Sequence, residues 1–208
     1  MTSTPAMRPW IVLALATTLV GLRIPGGAAD ASAYRVLRGE VRVVCPLTVG
    51  GSFDTRTTSI SGTMGLGAAP AGTLSGEMRV DLASLDTGIG LRNTHLRDNY
   101  LEVGRGAEYA TAVLSGVHLD KMDSTAFRGR TPFTGTLLLH GTRRPVAGQA
   151  DIHPEGSELR IDASFPLRLD DHGIAAPRYL GVGVKNEVQV KVSLVATPAP
   201  VPAADGSR

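Results

Sequence analysis

Residues 159–170, LRIDASFPLRLD, alternate without a break: Leu159, Ile161, Ala163, Phe165, Leu167 and Leu169 against Arg160, Asp162, Ser164, Pro166, Arg168 and Asp170. A period of two is that of a β-strand with one face in an apolar interior and the other in water. Downstream, Val188, Val190, Val192 and Leu194 alternate in the same way with Glu187, Gln189, Lys191 and Ser193. Upstream, one face each is marked by Phe133, Gly135, Leu137 and Leu139, by Leu74, Gly76, Met78, Val80 and Leu82, by Thr58, Ile60, Gly62, Met64 and Leu66, and by Val41, Val43, Cys45 and Leu47. Tyr109 to Leu119 is strand-like with apolar residues in both phases. No crossover helices separate these runs, so the strands are expected to be antiparallel. About eight one-sided strands are best satisfied by closing the sheet, which removes its edges. A two-sheet sandwich fits the same pattern.

One stretch breaks the alternation. In RVDLASLDTGIGLRNTHLRDNYLEV, residues 79–103, Leu91, His95, Leu96, Tyr100 and Val103 recur at roughly helical spacing while Arg92, Arg97 and Asp98 point elsewhere. Ser84 or Asp86 is expected to cap the helix start, with Gly88 and Gly90 allowing the turn into it. A short helix between strands suits a lid on one end of the sheet.

At 208 residues the chain can bury one sizeable core. A net charge of +2 and 4% aromatic residues give nucleic acid neither a basic surface nor a stacking platform. Residues 1–29 have the form of a secretory signal: Arg8 precedes the apolar run Trp10–Val20, and small residues offer cleavage after Ala29 or Ala33. That run is too short for a bilayer core of ~30 Å. The expectation is a periplasmic or secreted protein, without an integral membrane segment once the signal is removed, comprising one domain over 34–196. The tail 197–208, TPAPVPAADGSR, lacks periodicity and is expected to be disordered.

Catalytic and metal signatures fail on spacing. The histidines at 95, 118, 140, 153 and 172 form no HxH or HxxxH, and the single cysteine excludes CxxC. Asp170-Asp171-His172 is expected to be a solvated turn, since adjacent strand side chains diverge. Cys45, in phase with Val41, Val43 and Leu47, is expected to be a buried thiol. There is no G-x-S-x-G, and Gly65-Leu66-Gly67 and Gly181-Val182-Gly183 lack the third glycine and the helix of a phosphate loop. The chain is therefore expected to have no metal site, no cofactor and no catalytic set.

Three segments carry a resemblance. SLDTGIGLRNTHLRDNYLEV (84–103), GSFDTRTTSISGTM (51–64) and FTGTLLLHGTRRPV (133–146) resemble, in order and spacing, motifs of the YceI family. The resemblance implies an extended lipocalin-like barrel of eight antiparallel strands with a short helical insert. It further implies a tunnel for an isoprenoid or another long-chain, fatty-acyl type amphiphile. Strand phase nominates Val80, Leu82, Leu96, Leu114, Leu137, Leu139, Ile161, Phe165, Val190 and Val192 as tunnel lining. Gly62, Gly76, Gly135 and Ala163 are small inward positions expected to leave room, with tight strand coiling the plainer role of the glycines. Arg92, His95 and Arg97 are candidates for a mouth that meets a polar or anionic lipid head; solvation on the helix surface is the plainer role. Besides a lipid carrier, the pattern admits an envelope-stress or interaction protein with a solid barrel, or a lipid-modifying enzyme. Homodimerisation is left open.

Overall fold

The computed structural model describes residues 33–66, 72–120, 128–179 and 181–199. Their strands are β1 (Ala33–Pro46), β2 (Ser52–Thr57), β3 (Ile60–Leu66), β4 (Leu74–Asp81), β5 (Thr111–Leu119), β6 (Gly129–Leu139), β7 (Thr142–Glu155), β8 (Glu158–Arg168), β9 (Arg178–Tyr179), β10 (Val182–Gly183) and β11 (Glu187–Ala199). The main sheet runs β11-β8-β7-β6-β5-β4-β3-β1, and β1 pairs back onto β11 from Ala33↔Ala199 to Val44↔Gln189. Every pairing is antiparallel, so eight strands close into a barrel. β2 and β3 act as one bent strand along β1: Val41–Pro46 pairs with β2, and Ala33–Arg35 pairs with β3.

The alternation of β8 is realised residue by residue. Leu159, Ile161, Phe165 and Leu167 are buried, while Arg160, Asp162, Pro166 and Arg168 are exposed. In β1 a bulge between Val36 and Arg38 breaks the phase and turns Leu37 to solvent. β11 continues to Ala199, so Thr197 pairs with Arg35 and Pro198 with Tyr34. Three residues assigned from sequence to the tail thus belong to the barrel, held by ladder pairing that composition does not reveal. Residues 1–29, expected from the sequence to be a signal, and residues 200–208 lie outside the described residues.

The helix start differs from the expectation. α1 (Gly90–His95) starts after Ile89, and neither Ser84 nor Asp86 caps it. The Asp86 carboxylate instead accepts from Gly88 N (2.8 Å) and Asn93 Nδ2 (2.6 Å), and Asn93 Oδ1 accepts from Thr87 N (2.8 Å) and Thr87 Oγ1 (2.7 Å). This knot fixes the entry to the helix. α1 continues into a wide π-turn, Leu96–Tyr100, closed by Leu101 N donating to Leu96 O at 2.9 Å. A short helix α2 (Ala107–Ala110) leads into β5.

The insert lies at one end of the barrel together with the β6–β7 hairpin and the turn 170–172. His140-Gly141, both at positive φ (51° and 71°), make a two-residue hairpin turn between Leu139 and Thr142. His140 joins the three elements: its Nδ1 lies 3.1 Å from His172 O, its Nε2 lies 3.1 Å from Glu102 Oε2, and its ring meets Tyr109 edge-on at 4.8 Å.

The expectation of a solvated Asp170-Asp171-His172 turn is corrected. The aspartates are exposed, but His172 is 1% exposed, with Nδ1 at 3.2 Å from both Leu139 O and Thr142 O. A 3₁₀ turn lets the ring point inward while its neighbours stay in water. Burial holds the ring below the ordinary histidine range, against the opposing pull of the two carbonyls. The unfolded chain therefore takes up a proton first as pH falls through ~6.5. Stability supplied by the neutral ring is present above that pH and lost below it. Urea midpoints of the native protein should fall between pH 7 and 5 more steeply than those of His172→Asn; equal slopes would remove this role.

Candidate functional site

The inward faces do not meet. They surround a cavity of about 940 Å³, at the upper end of the ~300–1,000 Å³ usual for small-molecule sites. It reaches from Leu74, Leu119 and Ile152 near the far end up to Phe53, Leu91 and Val182 at the insert end. Along β8 it follows Ile161, Ala163, Phe165 and Leu167, ~20 Å of strand.

The residues nominated from strand phase, Val80, Leu82, Leu96, Leu114, Leu137, Leu139, Ile161, Phe165, Val190 and Val192, all line this cavity. Leu82 does so from a 3₁₀ turn beyond the end of β4, and Leu96 from the π-turn, whose width brings Leu96, Tyr100 and Leu101 to the cavity together. Of the small residues expected to leave room, only Ala163 faces the cavity. A Cβ on Gly62 would sit 2.3 Å from Glu77 O, and one on Gly76 would sit 2.3 Å from Thr63 O, both at positive φ. These glycines let β3 and β4 coil tightly against each other. Gly135 lies under the Leu114 side chain, 3.1 Å from where its Cβ would be. The space comes from barrel radius rather than from missing side chains.

The opening is defined by the lining residues that are exposed. Ser52, Ile89, Leu91, His95, Arg178 and Val182 are exposed, and all belong to the start of β2, to α1 with its entry, or to β9–β10. The β1–β2 turn and β10 are tied together by Thr48 N donating to Gly183 O (2.8 Å) and Gly183 N donating to Thr48 Oγ1 (3.0 Å).

Among the described residues no carboxylate lines the cavity, and the charged or protonatable basic groups that do are Arg92, His95 and Arg178, all at the opening end. Arg92 rests its guanidinium 4.3 Å over the Phe53 ring. Arg97, grouped with these from sequence, does not line the cavity: its Nη1 donates to Ala83 O at 3.2 Å and ties the π-turn back to the preceding loop. Regular helical spacing already turns Arg97 about 200° away from His95. Arg178 went unnoticed in the sequence because β9–β10 is a two-residue ladder without periodicity.

Cys45 is buried on the cavity wall. Burial above all, with the Asp54 carboxylate, pushes its thiol up to about 11 against the opposing charge of Arg92. It is a protonated, apolar wall group at neutral pH. Among the described residues no cluster of three His, Cys, Asp or Glu side chains could hold a metal ion, and no helix is long and apolar enough to cross a membrane.

A closed antiparallel barrel around an apolar hollow, with basic groups gathered at one mouth, is a lipocalin-like fold. The match to the YceI-like domain spans residues 33–196, and the chain belongs to that family. Solved structures share the fold. Burkholderia cenocepacia BcnA is 20% identical, with a TM-score of 0.63 over 76% of this chain and 96% of its own. A polyisoprenoid binding domain from Saccharophagus degradans is 18% identical, with a TM-score of 0.59 over 80% and 98%. The Campylobacter jejuni YceI protein is 17% identical, with a TM-score of 0.50 over 68% and 82%. No curated protein matches the chain.

Proposed function

We propose that this protein is an exported, non-catalytic carrier that holds a polyisoprenoid or another long-chain amphiphile in the barrel. The chain lies along Leu137, Ile161, Phe165 and Val190, and the polar head rests at Arg92, His95 and Arg178. The observation that carries this reading is the polarity of the cavity: aliphatic and aromatic along its length, basic only where it meets solvent. Burying ~20 carbons at ~0.8 kcal/mol each supplies a gross ~16 kcal/mol, against ordering and association costs of several kcal/mol. Affinity can thus come from the tube, and the mouth sets orientation and head preference. The Saccharophagus degradans neighbour, a polyisoprenoid binding domain, supports the ligand class. Export is supported by the Arg8 and Trp10–Val20 pattern.

Mass spectrometry of an organic extract from natively purified protein tests the proposal. A stoichiometric long-chain lipid is the expected result. Protein that repeatedly yields none, and binds no added prenyl alcohol, would overturn it.

A further inference from the structure

The large hydrophobic residues exposed among the described residues are Leu37, Val49, Ile89, Leu91 and Val182. Leu37 is displaced by the β1 bulge. The other four surround one feature. Ile89 (49% exposed), Leu91 (67%) and Val182 (37%) border the cavity opening. Val49 (69%) sits at the tip of the β1–β2 turn that is hydrogen-bonded to Gly183. Scattered exposed apolar residues need no explanation, but a set gathered at the mouth of an apolar cavity does.

Cations stand among them. Arg178 and Lys185 are exposed, and the Lys185 amide donates to Pro46 O (2.8 Å), which places it beside the same turn. Arg92 and His95 face the opening. The nearby carboxylates Asp86 and Asp98 do not line it, and Asp86 is occupied by Gly88 and Asn93. Protruding aliphatic tips from three separate segments, interspersed with cations, match an interface of acyl chains below anionic head groups. The same four side chains are far short of the ~1,200–2,000 Å² that a stable protein interface buries.

We infer that the mouth of the barrel docks on an anionic phospholipid bilayer, with Val49, Ile89, Leu91 and Val182 entering its surface and Arg178 and Lys185 against its head groups. The cavity then opens directly into lipid, and an amphiphile passes between bilayer and barrel without crossing water. This use of the surface rests on the carrier reading; the docking itself does not.

The test uses the chain from Asp30 onward, which holds every strand of the barrel and omits the apolar Trp10–Val20 run that would itself enter lipid. Flotation is measured with vesicles of phosphatidylcholine alone and of equal parts phosphatidylcholine and phosphatidylglycerol. The protein should float with the mixed vesicles and do so less as salt rises. Val49→Asp should weaken partitioning about tenfold, and Lys185→Gln roughly fivefold on the mixed vesicles only. Neither residue lines the cavity, so binding of geranylgeraniol in solution should be unchanged in both. Failure of the unmodified protein to float, or flotation of Val49→Asp at the unmodified level, overturns the docking. Binding of geranylgeraniol alongside such a failure would leave the carrier reading standing, and flotation without geranylgeraniol binding would do the reverse.

Discussion

Leu137→Trp is expected to cost the protein its long-chain ligand while leaving the barrel folded. Leu137 is 7% exposed and points from β6 into the cavity. In a solid core the larger ring would have to displace neighbours, at ~1–3 kcal/mol or more of overpacking. Here it has a hollow to enter. The indole fills the space of about five ligand methylenes, worth ~0.8 kcal/mol each, or ~4 kcal/mol in all. That corresponds to roughly a thousandfold loss of affinity. Isothermal titration with geranylgeraniol gives the first quantity, and thermal unfolding followed by circular dichroism gives the second. Unimpaired binding would show that the hollow is not the binding site, and a collapse of Tm would show that the interior has no room for the ring.

The largest stability effect is expected at Gly148. In β7 this glycine faces inward between Phe133 and Phe165, whose rings meet edge-to-face at 6.0 Å. A Cβ there would lie 2.3 Å from Ser164 O, 2.7 Å from Phe165 Cβ and 2.8 Å from Phe133 Cε1. Two of those neighbours are a strand backbone and an atom next to one, so relief requires moving β8 as well as turning a ring. Gly148→Ala should therefore cost about 3 kcal/mol, the upper part of the overpacking range, and lower Tm by roughly 6–12 °C for a domain of this size. Gly104→Ala, with nothing within 4 Å and an ordinary φ, is the control and should stay within about 0.5 kcal/mol. Equal melting of the two variants would show that the Phe133–Phe165 contact yields without cost.

Gly148 also shows where pattern stops being informative. Gly62, Gly76, Gly135 and Gly148 look alike in a string of alternating residues. Only the third dimension shows that two of them serve strand coiling, one lies under Leu114, and one makes room for an aromatic pair. A missing side chain marks a void only if nothing from another strand fills it, and the filling atoms here come from residues up to tens of positions away. The cavity wall, by contrast, was legible, because strand phase is local: once β8 and β11 alternate and the sheet closes, inward residues can only face the hollow.

The mouth was legible only in part. Of the three mouth candidates, His95 shares the helical face of Leu91 and Leu96, Arg92 reaches the opening by lying over the Phe53 ring, and Arg97 turns away to Ala83 O. Arg178, Val182 and Val49 carry no periodicity, and they reach the mouth because hydrogen bonds zip the β1–β2 turn to β10 across 135 residues of sequence. The inward turn of His172 is of the same kind, since its ring is placed by carbonyls more than twenty-five residues upstream.

Alternation by itself determined that this chain is an antiparallel β protein, which residues face inward, and, with three short motifs, that it resembles the YceI family. Such features depend on neighbours within a strand, where the two-residue repeat leaves a side chain only two directions. Tertiary structure decided that the barrel is hollow, which end opens, and which cations and aliphatic tips gather there. Those depend on barrel radius and on loops that meet only after the sheet has closed, and no local pattern encodes the distance between them.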